Sequence, residues 1–426
     1  MSRGGMLRFF STGVIDQAVL SATNFAVGLL MLRRTDDADY GLFVLATSTF
    51  LLLVGAQGSA VCGPMTVLAN KRSDAQRLAM VSQLLRLLLR AWLPLAAIGA
   101  AVFWMASGDW LGVPAATVGL AACVAAVGVL MREAMRAMWM LYSMPRALLG
   151  FDLLFTMAYL ALALYLSAEY RPAAPWVVLG LGGASALAAW CSWRHFRRRL
   201  GWDPDGCDGA FAETWRLGRW ALGGSIITWL HQQGFYYVVA ALRGVEAVSG
   251  LAAARLLLMP VNLMITGVGQ LLLPMASRWL AESGPARMFR HLAWLSAGVT
   301  VGAAVYFLVL WQLRGWVLVD VLKRDAASLD LSLLLWGVIF LLVGLRVFSQ
   351  IGLQAMERFD ALTKLAAVTA TVSLSVGLVG IVWLDAPGAL IGLIAGELLS
   401  VAGILWLSRR EYRRWLAASG TPPHAG

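Results

Sequence analysis

Lysine is nearly missing from this chain: Lys71, Lys323 and Lys364 are the only three in 426 residues. None follows a GxxxxG run, so no phosphate-cradling P-loop can be built and ATP hydrolysis is excluded as an intrinsic energy source. The four histidines show no HExxH spacing and no pairing with cysteine, which leaves no metal site. GxSxG is absent as well, and no cofactor is expected. Cys62, Cys123, Cys191 and Cys207 lack CxxC spacing and argue against a disulfide framework. Charge is also scarce. Only 13% of residues are charged while 60% are hydrophobic, and a mean hydropathy of +0.74 excludes a soluble globule.

What is present is a series of twelve apolar spans, from 12–32 and 40–62 through 218–240 and 247–276 to 387–408. Of the 34 Lys and Arg residues, twenty-six fall at the N-terminus, in or beside even-numbered loops, or at the C-terminus. Seven fall in odd-numbered loops, and Arg255 alone sits deep inside a span. Basic residues stay on the cytoplasmic side, so the asymmetry predicts a polytopic all-α protein with both termini inside. Arg3 and Arg8 precede an apolar stretch that runs to about Leu32 without a small-residue cleavage pattern, which reads as an uncleaved first span. Trp110, Trp176, Trp193, Trp220, Trp316 and Trp406 stand at interfacial depth. The +11 net charge flanks apolar spans, so its expected partners are anionic membrane lipids and not nucleic acid.

The segment 194–217 is the only long polar connection, and it divides 1–193 from 218–426 as two six-helix bundles joined by a basic cytoplasmic linker. The halves look like repeats. Tyr40-Gly41-Leu42 corresponds to Ser249-Gly250-Leu251, Pro64-Met65 to Pro274-Met275, and Arg132…Ala147-Leu148 to Arg346…Ala361-Leu362, at offsets of 209 to 214. Repeats of six spans share their orientation, a plan typical of transporters with a cavity between two bundles. Pro64, Pro94, Pro260 and Pro274 interrupt spans or their ends.

Polar residues at membrane depth mark the candidate site. Span seven carries Trp229, His231, Gln232, Gln233, Tyr236 and Tyr237. Counted from Gly244, His231 lies 13 residues before and Arg255 lies 11 after, which places both at similar depth in an antiparallel hairpin. Asn24 and Glu397 also fall near mid-depth. An Arg in a central cavity suits a diphosphate, while amides and tyrosines suit sugar hydroxyls. Alternatively, Arg255 and Glu397 form a structural pair. Arg86 and Arg90, and Arg132 and Arg136, are i,i+4 pairs that line an inner vestibule for phosphate or anchor their helices by snorkelling. Asp16 and Asp152 carry coupling ions or pair with nearby arginines. Asp36-Asp37-Ala38-Asp39 has two readings: an acidic motif of membrane glycosyltransferases that use lipid-linked sugars, or a turn capping span two.

Residues 17–53, QAVLSATNFAVGLLMLRRTDDADYGLFVLATSTFLLL, resemble the first two spans of bacterial polysaccharide-synthesis flippases of the multidrug/oligosaccharidyl-lipid/polysaccharide (MOP) superfamily. The polar–acidic turn followed by Tyr40-Gly41-Leu42-Phe43 carries the likeness. Arg132-Glu133…Arg136…Pro145-Arg146-Ala147 resembles that family's segment after span four. The resemblance implies a MOP flippase fold, alternating access and an ion gradient as energy source. It also implies flipping of an undecaprenyl-diphosphate-linked oligosaccharide across the bacterial inner membrane, beside polysaccharide polymerases or glycosyltransferases as partners. The rival readings are a multidrug or toxin exporter of the same superfamily, and a glycosyltransferase or polymerase using Asp37 and Asp39.

Overall fold

A computed structural model describes residues 3–106, 112–207, 209–322 and 326–419; Trp110 and Lys323 lie outside them. The described residues form α1 (Arg3–Arg34), α2 (Asp37–Gln57), α3 (Gly63–Ala69), α4 (Asp74–Ala106), α5 (Gly112–Leu141), α6 (Pro145–Glu169) and α7 (Ala174–Leu200). They continue with α8 (Ala210–Arg243), α9 (Val245–Leu257), α10 (Met259–Gly315), α11 (Ala326–Ala355), α12 (Phe359–Leu384) and α13 (Gly388–Ser419). Ten of these helical segments are long and apolar enough to cross a membrane, or eleven if the bent pair Val245–Leu257 and Met259–Gly269 is one span. Helix α8 is 34 residues long but stands outside this set. His231, Gln232 and Gln233 interrupt its apolar run.

The chain breaks where local chemistry requires it. Span eight, read as continuous over 247–276, is instead bent by 53° at Leu258. Pro260 has no N–H and its ring collides with the carbonyl four residues back, so the helix restarts with Pro in its first turn. Pro64 sits the same way at the start of α3, after a π-helical turn at Gly58–Cys62 that joins it to α2. In α10, Gly284 takes φ 75° and ψ 172°, a region open essentially to glycine, and Pro285 begins the next helical stretch. Helix α7 ends at Gly201, whose φ of 98° lets its N–H reach the Arg197 carbonyl at 3.2 Å. The connection expected over 194–217 is mostly helix, and among the described residues 201–207 and Gly209 lie outside α7 and α8.

Two compact units result, Met1–Trp229 and Leu230–Gly426. The division falls inside α8, not at the polar connection, because the first half of α8 packs on the N-terminal helices. Trp229 Nε1 donates to the Ser48 carbonyl at 2.8 Å, and Gly218 lies so close to Ala60 that a Cβ would stand 2.1 Å from its carbonyl oxygen. The N-terminal core centres on Met65, Met80, Leu84, Met138, Trp139 and Phe196. Trp139 is fully buried and places its Nε1–H on Ser192 Oγ at 2.6 Å. A smaller C-terminal core joins Leu353, Ile404 and Leu407. Many large apolar residues nevertheless face outward: Ile98, Trp104, Met157, Trp220, Trp294, Val382 and Trp383 are all exposed. A water-soluble chain would bury such a surface, whereas hydrocarbon accepts it.

Candidate functional site

In the C-terminal unit, equal chain lengths on either side of a turn bring two polar residues together. Gly244, with φ 87°, reverses the chain between α8 and α9. Gln233 and Arg255 each lie eleven residues from it, and Arg255 NH1 donates to Gln233 Oε1 at 3.2 Å. Gln233 and Tyr236 share a helix face and are buried, and Tyr236 is within hydrogen-bonding reach of the same guanidinium. Gln232, about 100° around the helix, is exposed. The Arg255 guanidinium also lies 5.2 Å from the ring centroid of Trp336 on α11, whose Nε1–H is held by the Leu251 carbonyl at 2.9 Å. Arg255 has no carboxylate partner among the described residues.

The expected alternative, an Arg255–Glu397 pair, does not form. Glu397 is taken by Arg346 of α11, which approaches it with both forks (Nε to Oε2 2.7 Å, NH2 to Oε1 3.1 Å). His231 Nε2 stands 3.4 Å from Oε1 of the same carboxylate, and Arg346 NH1 reaches Gln350 Oε1 at 2.7 Å. Glu397 is only 5% exposed, and the Arg346 guanidinium with the His231 imidazole holds it inside the unit. Its carboxylate thus pairs with Arg346 and His231 and not with Arg255. Arg346 is not among the site residues that the sequence singled out. Its match to Arg132 in the repeat was the available signal.

In the N-terminal unit the inner arginines and the candidate coupling carboxylates form one cluster. Arg132 NH2 bonds Asp152 Oδ1 at 2.8 Å and its NH1 meets Glu133 at 3.0 Å. Arg136 bonds Asp16 Oδ2 at 3.0 Å and approaches Asp152 Oδ2 at 3.3 Å. The Asp16 and Asp152 carboxyls lie close enough to interact directly. Phe155, one turn beyond Asp152, places its ring 3.7 Å from the Arg132 guanidinium. Three carboxylates thus face two guanidiniums, with Asp16, Asp152 and Arg132 all buried. Arg132 and Arg136 do not stand open to a vestibule, as one sequence reading had them; buried acids consume their charge. Arg86 is separate and binds Asp205 with both forks at 2.7 and 3.2 Å. Arg90 and Asn24 are exposed. No group of three His, Cys, Asp or Glu residues arranged to hold a metal ion occurs among the described residues.

The acidic turn caps two helices. Asp36 accepts the Asp39 N–H at 2.8 Å and closes the N-terminus of α2. Asp39 is buried and accepts the Ala173 and Ala174 N–H groups at 2.7 and 2.9 Å, filling the N-terminus of α7 from another helix. Both Asp39 oxygens are thereby used, which opposes a cation-holding role. Asp39→Ala is expected to cost about 2–3 kcal/mol, because two donors at a helix N-terminus lose a charged acceptor. Thermal unfolding in detergent should show the drop, and an unchanged midpoint would refute the cap.

No model of a known protein family matches the chain, and no curated protein matches it. Solved structures do. Lipid II flippase MurJ in its inward closed conformation superposes with a TM-score of 0.77 at 12% identity, over 94% of this chain and 87% of that one. An inward-facing multidrug resistance MATE family transporter of the MOP superfamily gives 0.75 at 12%, over 92% and 94%. A MOP superfamily transporter from Pyrococcus furiosus, described as having a binding pocket of reversed polarity that suggests a different function, gives 0.66 at 13%, over 96% and 95%. Identities this low speak for fold alone: the chain has the fold of MOP-superfamily transporters and flippases.

Proposed function

We propose that this protein flips an undecaprenyl-diphosphate-linked oligosaccharide across the bacterial inner membrane by alternating access, with twelve spans and both termini in the cytoplasm. The observation that carries the reading is Arg255. It is a guanidinium at membrane depth held by an amide, a tyrosine and an indole, with no carboxylate to neutralise it among the described residues. A cation kept that way is suited to an anionic ligand, and a diphosphate accepts it bidentately. Gln233, Tyr236 and His231 are the neighbours that would meet the head, and the exposed amides of Asn24 and Gln232 suit sugar hydroxyls. Arg86 and Arg90 are candidates for first capture on the cytoplasmic side. The surplus carboxylate of the Asp16–Asp152 cluster would carry the coupling proton or sodium ion, which moves with the gradient and not with nucleotide hydrolysis. Partner polymerases or glycosyltransferases would use and supply the lipid-linked chain.

That same acidic surplus favours a second reading, a multidrug or toxin exporter that takes cationic substrates. One experiment separates the two. In cells that depend on this protein for glycan export, Arg255→Ala should abolish export, and Arg255→Lys should restore part of it, since a point charge replaces a fork. Normal export by both variants would end the diphosphate reading. Unchanged glycan but lost resistance to cationic dyes in Asp152→Asn would establish the exporter.

A further inference from the structure

The N-terminal unit has an open cavity of about 650 Å³ that, Arg86 apart, none of the roles above uses. It lies between α4, α5 and α7, with Leu89, Val124, Gly128, Leu179, Gly183 and Trp190 among its lining. Its shape follows from composition. Helices α5 and α7 touch through small residues: a Cβ on Gly128 would lie 2.3 Å from the Gly182 carbonyl, and one on Gly182 would lie 2.4 Å from Ala125 Cα. The floor is therefore backbone, while leucine and tryptophan side chains raise the walls. Gly183 is exposed at this floor and a Cβ there would meet nothing within 4 Å. Arg86 is the one charged lining residue, and Asp205 already neutralises it.

One end of the groove is cationic. Trp190 and Trp193 both line it, and each carries an arginine one turn on: Arg194 lies 5.8 Å from the Trp190 ring centroid and Arg197 lies 5.6 Å from that of Trp193. Trp202 closes this end, edge-on to Trp193 at 6.0 Å. Arg194 and Arg197 are exposed and have no carboxylate partner among the described residues. Their charge falls on the side that the loop asymmetry assigns to the cytoplasm.

We propose that this groove seats an acyl chain of an anionic membrane phospholipid, with Arg194 and Arg197 holding its phosphate. A soluble anion is ruled out as occupant by the apolar floor, and a bare hydrocarbon makes no use of the two arginines. The sugar-bearing carrier fits poorly, because the lining offers no amide or hydroxyl to a glycan. An apolar chain fills a cavity that hydrocarbon surrounds, and the arginines fix its head at the interface. The site requires only that the chain be embedded in a bilayer and is independent of the substrate assigned above.

Native mass spectrometry of the full chain in detergent, titrated with dioleoyl phosphatidylglycerol or dioleoyl phosphatidylethanolamine, tests this. The wild type should retain phosphatidylglycerol preferentially. Arg194→Gln and Arg197→Gln should each weaken that retention about fivefold. Gly183→Phe, which projects a ring into open groove, should remove the bound lipid while leaving the unfolding midpoint in place. Equal retention of the two lipids, or unchanged retention in Gly183→Phe, would overturn the proposal. So would a wild-type dimer that Gly183→Phe converts to monomer, since the groove would then be a helix contact between two copies. Should Gly183→Phe fail to fold, the two arginine variants, on exposed side chains, decide the question alone.

Discussion

Glu397→Ala should be among the most destabilising single substitutions in the C-terminal unit, at about 3–5 kcal/mol. The side chain is 5% exposed and answers Arg346 at 2.7 and 3.1 Å and His231 at 3.4 Å. Its removal leaves a half-buried guanidinium with the Gln350 amide oxygen as its remaining hydrogen-bond acceptor, and desolvation is then uncompensated. Glu397→Gln should cost less, because an amide oxygen still accepts one hydrogen bond. The check is a double-mutant cycle on thermal unfolding in detergent. Arg346→Met in the Glu397→Ala background should recover much of the loss, since a pair of apolar residues costs less than one orphaned charge. If Glu397→Ala unfolds at the wild-type midpoint, the stabilising role of this pairing is wrong.

Gly392→Leu is expected to match that effect through sterics. Helix α13 carries Gly388, Gly392 and Gly396 at four-residue spacing, and they form one strip against α12. A Cβ on Gly392 would stand 2.3 Å from the Ser373 carbonyl oxygen and 2.4 Å from the Gly377 nitrogen. Both obstacles are backbone, so no rotamer change relieves the clash and the helices must separate. The cost lies at or above the upper end of the ~1–3 kcal/mol typical of overpacking. Glu397 follows in the same helix, so the shift also breaks its register with Arg346. Gly298→Leu is the matched control, because a Cβ there meets nothing within 4 Å. Equal unfolding midpoints for the two variants would refute the close contact.

How much of the site was legible in sequence depended on whether a neighbour was set by counting or by packing. Arg255 and Gln233 meet because each is eleven residues from Gly244, and a helical rise of 1.5 Å per residue converts equal counts into equal depth. The same reasoning named Tyr236 and His231. It could not choose the partner of Glu397, because depth says nothing about which of several helices faces which. Arg346, known from the sequence only as the repeat counterpart of Arg132, proved to be that partner. The packing of Gly388, Gly392 and Gly396 on α12 was not read from the sequence, and Gly396 leaves the space in which His231 Cε1 sits 3.0 Å from where its Cβ would be. Likewise Asp36 was readable as the cap of α2, whereas the capture of α7 by Asp39 joins residues more than 130 positions apart.

Composition and spacing alone determined a helical, membrane-embedded class, the absence of nucleotide and metal motifs, and the interruptions at Pro64 and Pro260. The class and the interruptions follow from local terms: transfer of apolar side chains to hydrocarbon and a missing N–H. Only the tertiary structure decided which charges are spent and which are free. It consumed Arg132, Arg136 and Arg346 in pairs with buried carboxylates and left Arg255 on an amide, a tyrosine and an indole. The reason is physical: a buried charge selects its partner by the cost of desolvation, and that cost depends on which helix surfaces meet.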